Sequence, residues 1–172
     1  MGARRGVRVL WAAVVLALAG VTGIAGTGRA EAAERWELWR NVGNNLCMTS
    51  ADDPANAFVG TATFAPCDAG DTRQWWYWDL LSTGDVMIVN HATRQCLADV
   101  AGWGLAWLGT CDRADRDQIW DSSINGNGEW HYGSVDDQRA LSTPYVAGTS
   151  YVTARGDFRY GDIRCWWRHL PV

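Results

Sequence analysis

The chain reads as an all-β protein built from three four-stranded repeats of roughly 45 residues, and three observations carry that reading. First, Gly70-Asp71-Thr72-Arg73-Gln74-Trp75-Trp76 returns as Gly161-Asp162-Ile163-Arg164-Cys165-Trp166-Trp167, identical at five of seven positions. Between them, Ala114-Asp115-Arg116-Asp117-Gln118-Ile119-Trp120 keeps the Asp, the Gln and the last Trp, with periods of 44 residues to Trp120 and 47 to Trp167. Second, Asn41, Asn90 and Ser134 each stand six residues before Cys47, Cys96 and Ala140, and Gly84 and Gly128 stand six before Asn90 and Ser134. Third, short apolar runs alternate with Gly, Asn and Asp turns, and no stretch after the leader has a helical period.

The elements follow in order. Each repeat opens on a short strand (Trp36 to Arg40, Val86 to Val89, Trp130 to Tyr132) and passes a polar turn. A second strand runs through Cys47, Cys96 or Leu141. After a Gly-marked turn comes a third, Ala62 to Ala65, Leu105 to Leu108 and Ser150 to Thr153, with Gly60-Thr61 matched to Gly148-Thr149 and to Gly104. The Trp-bearing segment supplies the fourth. The repeats fall at about 36–78, 79–122 and 123–170.

Composition fits a single folded domain: 172 residues, 48% hydrophobic, 20% charged and four prolines. All 15 basic residues are arginine, and 12 residues are tryptophan. Residues 1–32 carry a net +3, so the remainder stands at −7 against −4 for the whole. An acidic chain without a basic stripe is a poor match for nucleic acid or an anionic membrane.

Met1 to Arg8 is a short basic segment, Val9 to Gly20 is apolar, and Ala30-Glu31-Ala32 is an A-x-A cleavage site. The expectation is a secretory signal peptide over 1–32 and an exported domain over 33–172. An uncleaved anchor is the alternative, although the apolar run falls short of the roughly 20 residues a span needs. No later segment could span a bilayer, so no membrane span is expected after cleavage.

In an oxidising compartment thiols pair by default. Five cysteines allow fifteen arrangements with one left over, and the repeats select among them. Cys47 with Cys67, and Cys96 with Cys111, sit at corresponding positions of repeats one and two. Repeat three has Ala140 and Arg155 there, losing both partners together. Cys165 takes the slot held by Gln74 and Gln118; the expectation is a buried thiol, with an intermolecular disulfide as the alternative.

Three units ending on Gln-x-Trp or its equivalent, two with an internal Cys pair, resemble the ricin-type β-trefoil lectins, the ricin B-chain family, over residues 36 to 170. The resemblance implies a pseudo-threefold β-trefoil: a six-stranded barrel capped by three hairpins. It assigns Gln74, Trp76, Trp120 and Trp167 to the structural core.

Fold alone does not set function. A sugar presents paired hydroxyls and a patch of C–H groups, so its site needs a carboxylate or amide beside an exposed aromatic ring. The family places Asp two residues after the first Cys, an aromatic just before the second, and Asn before the Gln. This chain departs at each: Thr49, Ala65 and Arg73 in repeat one; Ala98, Gly109 and Asp117 in repeat two; Ser142, Thr153 and Arg164 in repeat three.

Repeat two is the best candidate for binding carbohydrate. Asp99 lies one step from the expected carboxylate, Asp117 fills the Asn slot, and Gln118 follows it. Alternation points Ala106 and Leu108 inward and Trp107 outward, and its counterpart Tyr151 faces out in repeat three, where repeat one has Thr63. An outward ring serves either a ligand or a neighbouring hairpin. Trp103, in the adjacent loop, adds a second face.

Trp75, Trp78, Trp130 and Trp166 could together form a flat apolar patch of the kind that meets protein partners. That feature is also similar to the delivery subunits (A and C) of cytolethal distending toxins, which assemble with a separate catalytic chain. The two readings imply different partners: cell-surface or polysaccharide glycans, or a protein subunit.

No catalysis, cofactor or metal is expected. His91, His131 and His169 lie in no metal-binding or nucleophile spacing and read as surface or satisfied residues. Asp52, Asp53, Asp136 and Asp137 fall in turns, where Asx-turn chemistry accounts for them.

Overall fold

Alternation along each strand sets which residues meet in the centre, and the repeats set how the strands close. The computed structural model describes residues 34–51, 60–99, 104–143, 152–155 and 162–172, with 153–155 by backbone alone. The leader expected at 1–32 lies outside them. Among the described residues, no helix is long and apolar enough to cross a membrane.

Repeat one contributes β1 (Glu37–Asn41), β2 (Cys47–Ala51), β3 (Thr61–Ala65) and β4 (Trp75–Leu80). Repeat two contributes β5 (Val86–Asn90), β6 (Cys96–Asp99), β7 (Ala106–Gly109) and β8 (Trp120–Ile124). Repeat three contributes β9 (Trp130–Ser134), β10 (Ala140–Ser142), β11 (Thr153–Arg155) and β12 (Trp167–Pro171). A single 3-10 turn precedes each fourth strand: Thr72–Gln74, Arg116–Gln118 and Ile163–Cys165.

First and fourth strands form a closed antiparallel ring, β1–β4–β5–β8–β9–β12 and back to β1. Closure leaves no free edge in the barrel. The hairpins β2–β3, β6–β7 and β10–β11 cap one end. They meet near the pseudo-threefold axis, where Thr61 pairs with Trp107, the Ala106 N–H donates to the Val152 carbonyl, and the Val152 N–H donates to that of Ala62. This is the β-trefoil architecture.

Trp76, Trp120 and Trp167 are fully buried. An indole N–H buried without an acceptor is costly, and each of these donates to the neighbouring hairpin: to Met48 O at 2.9 Å, Leu97 O at 3.0 Å and Leu141 O at 3.0 Å. The repeated tryptophan therefore packs the barrel and ties it to its cap.

The preceding Gln is equally specific. Gln74 accepts from the Asp68 N–H at 2.9 Å and donates to the Pro66 carbonyl at 2.9 Å. Gln118 accepts from the Asp112 N–H at 3.0 Å and donates to the Thr110 carbonyl at 2.9 Å. These bonds brace the loops closed by the disulfides Cys47–Cys67 and Cys96–Cys111. Cys165 occupies the same slot in repeat three, buried and outside both disulfides.

The third repeat departs from its expected register. Cys47, Cys96 and Ala140 lie opposite Ala65, Gly109 and Arg155. Arg155 is thus level with Ala65 and Gly109, not with Cys67 and Cys111, whose equivalent falls two residues later. Likewise Thr63, Trp107 and Thr153 pair with Thr49, Ala98 and Ser142. The strand partner of Ser142 makes Thr153, rather than Tyr151, the counterpart of Trp107.

Candidate functional site

The β6–β7 hairpin presents two faces. Leu97, Asp99, Ala106 and Leu108 point toward the core, while Cys96, Ala98, Trp107 and Gly109 point outward, because side chains alternate and paired residues share a face. Trp107 is half-buried, as an outward residue should be. Its ring lies over Gly60, where a Cβ would meet Trp107 Cε3 at 3.7 Å. The indole therefore covers the β3 end of the neighbouring hairpin with part of its surface and stays partly exposed. Gly109, on the same outward face, approaches the turn that carries Asp117: a Cβ there would meet Gln118 Nε2 at 3.5 Å.

Asp99 does not stand in an open site. One residue beyond the outward Ala98, it turns to the inner face and is 1% exposed. Arg139 Nε and Nη2 donate to its two carboxylate oxygens at 3.0 and 2.5 Å, and the Ser134 hydroxyl bonds it as well. Burial pushes the Asp99 carboxyl up, and the Arg139 guanidinium opposes that shift. Arg139 also reaches Asp137 at 3.1 Å. Asp99 therefore ties repeat two to the β9–β10 turn of repeat three, and its oxygens are occupied.

Gln118 is likewise spent on its loop and on Asp115 Oδ2, 3.2 Å from its Nε2. Asp117 differs: it is partly exposed, and no side-chain hydrogen bond or ion pair holds it among the described residues. Desolvation, then the carboxylates of Asp115, Asp136, Asp99 and Asp137, push its carboxyl up. Trp103 and Tyr151 lie outside the described residues, as do Asp52 and Asp53. Of the six expected sugar-site residues, Trp107 and Asp117 therefore remain at the surface of repeat two, one as a ring face and the other as a carboxylate.

The equivalent slots in repeats one and three are closed. Asp71 caps its 3-10 turn by accepting from the Arg73 N–H at 3.0 Å, and Arg73 Nε and Nη2 return to the same carboxylate at 2.9 and 2.8 Å. These bonds hold the Asp71 carboxyl below its usual range, against the opposing effect of desolvation. Arg164 folds back on Asp162 in the same way. In repeat two, Asp115 caps the turn through the Asp117 N–H at 3.1 Å, but Asp117 carries no cation to return.

The histidines are enclosed more than their positions suggested. His91 packs edge-on against Trp36 and Trp75, with ring centroids 4.7 and 5.0 Å away. His131 lies 5.7 Å from Trp166, and burial lowers its pKa. His169, on β12, is no surface residue: its side chain is 8% exposed. Its Nδ1 meets Glu37 at 2.9 Å and its Nε2 meets the Tyr132 hydroxyl at 3.0 Å, while its ring stacks on Trp39 at 4.5 Å. The β1–β12 pairing buries it, since Trp39 lies directly opposite. Sequence reasoning missed this Glu37–His169–Tyr132 chain, and nothing local in the sequence joins residues from the two chain ends.

The four tryptophans expected to form a flat patch are not brought together. Trp75 joins Trp36 and His91, Trp78 and Trp130 pair at 4.5 Å against the barrel core, and Trp166 is buried beside His131. Among the described residues no cluster of His, Cys, Asp and Glu could hold a metal ion.

No family model matches the sequence, and no curated protein matches it. Solved structures do. The GlcNAcα1-4Gal-releasing endo-β-galactosidase from Clostridium perfringens superposes with a TM-score of 0.67 at 14% identity, over 80% of this chain and 32% of that one. This chain thus spans about a third of the enzyme's length. ThreeFoil, a designed three-fold symmetric protein, matches with a TM-score of 0.67 at 13% identity, over 80% of this chain and 99% of that one. At such identities the likeness establishes the fold, a β-trefoil.

Proposed function

We propose that this chain is a secreted, non-catalytic carbohydrate-binding module whose working site is the outer face of repeat two. The observation that carries the reading is the coincidence, in one repeat, of an outward, half-buried indole at Trp107 and a carboxylate at Asp117 that no cation holds among the described residues. Trp107 offers a face for sugar C–H groups, and Asp117 accepts from hydroxyls. In the other repeats the matching slot is filled by an Arg–Asp clip.

The fold match supports the assignment, because the Clostridium chain acts on a glycan and a trefoil makes up part of its length. Two disulfides and the A-x-A leader support export. A single shallow site binds weakly alone, so useful retention on a surface comes from several copies acting together.

A glycan array probed with the oxidised domain, beside its Trp107→Ala variant, tests this. A defined set of bound glycans that the variant loses supports the reading. A folded domain that binds no glycan overturns it and turns attention to a protein partner of the toxin-subunit kind.

A further inference from the structure

The slot before the Gln carries a guanidinium in repeats one and three and a carboxylate in repeat two, and the consequence reaches past hydroxyl binding. Where Arg73 and Arg164 sit, each neutralises its own capping Asp. At repeat two, two acids stand side by side instead, and among the described residues the Asp115 carboxylate is bound only to the Asp117 N–H and the Gln118 amide. Among the described residues, Arg116 pairs with Asp136 at 3.1 Å, and Arg139 pairs with Asp99 and Asp137.

We infer that the repeat-two face selects glycans bearing a free amine, with Asp117 meeting the ammonium and Trp107 covering the adjoining C–H face. This rests on the carbohydrate-binding reading and names the ligand class for that site. Three physical facts favour a cation there. The Asp117 carboxylate has no ion-pair partner of its own among the described residues. Desolvation first, and then the carboxylates of Asp115, Asp136, Asp99 and Asp137, raise the Asp117 pKa, so added negative charge beside it is unfavourable. An indole face attracts cationic groups through its quadrupole. An anionic glycan meets like charge and is excluded.

Isothermal titration with three probes of equal length separates the outcomes: a fully deacetylated chitosan oligosaccharide, its N-acetylated chitin equivalent and an oligogalacturonate. The amine form is expected to bind at least about tenfold tighter than the acetylated form, the difference one charged hydrogen bond makes, and the acidic form not at all. Asp117→Asn should equalise the first two, while Trp107→Ala abolishes both. Equal affinities in the parent domain overturn the inference but leave the sugar site standing. A preference that survives Asp117→Asn assigns it to general attraction by the acidic surface and also overturns it. If none of the three binds while the array finds other glycans, the ligand class is wrong; if the array is silent too, the site itself falls.

Discussion

At the Gln-x-Trp tryptophan the three repeats are interchangeable, and a few residues upstream they are not. Trp76, Trp120 and Trp167 occupy equivalent buried positions and make equivalent bonds to hairpin carbonyls. Arg73, Asp117 and Arg164 occupy equivalent surface positions, yet two are clipped to their own cap and Asp117 has no ion-pair partner among the described residues. Changing a core indole leaves a cavity and an orphaned carbonyl, whereas a surface slot changes at little cost. The interior therefore preserves the repeat, and the surface can specialise one copy.

The largest expected effect is in the shared layer. Trp120→Ala should cost about 3–5 kcal/mol, and Trp76→Ala and Trp167→Ala a similar amount, measured by guanidinium unfolding. A loss under about 1 kcal/mol at any one of them would break the equivalence of the repeats. Next comes the inward acid. Asp99→Ala leaves Arg139, whose side chain is 16% exposed, with only Asp137 as an ion-pair partner among the described residues, and should cost about 2–3 kcal/mol. Glycan binding per folded molecule should stay unchanged; a selective loss of binding would return Asp99 to the ligand site.

A pH effect sharpens the contrast at the other end of the barrel. The hydrogen bond from His169 is the main cause that lowers the Glu37 carboxyl, with smaller help from the charges of His169 and Arg35 against desolvation. The stabilisation is full above the ordinary carboxylate range and is lost as pH falls through the lowered folded value. Glu37→Gln should flatten the acid side of the Tm-against-pH curve; an unchanged acid limb would show that the chain to His169 contributes nothing there.

The smallest effect on stability should come from Asp117→Arg, which recreates on Asp115 the clip of repeats one and three. An exposed pair of this kind shifts stability by less than about 1 kcal/mol. The same variant should close the site, and binding that persists in it would show that the slot does not control access.

Much of the architecture was legible because it repeats. The Asn, Cys and Trp offsets recur at fixed distances, and they locate the strands, both disulfides and the core tryptophans. The face of Asp99 was also readable: with Leu97 inward, a step of two keeps Asp99 inward, and the apparent one-residue offset from the family position reverses the face. Its partner Arg139 was not, because the bond spans 40 residues between repeats. Matching Gly148-Thr149 to Gly60-Thr61 set the third hairpin two residues early and promoted Tyr151 in place of Thr153. His169 looks terminal in sequence, and only barrel closure through β1 and β12 buries it.

The most direct test of the account is the indole N–H region of a ¹H–¹⁵N NMR spectrum, recorded while titrating the oxidised domain with the tightest glycan from the array. The Trp107 signal, assigned through Trp107→Phe, should move with ligand while those of Trp76, Trp120 and Trp167 stay fixed. Saturable shifts confined to Trp36, Trp75 or the Trp78–Trp130 pair, with Trp107 unmoved, would contradict it.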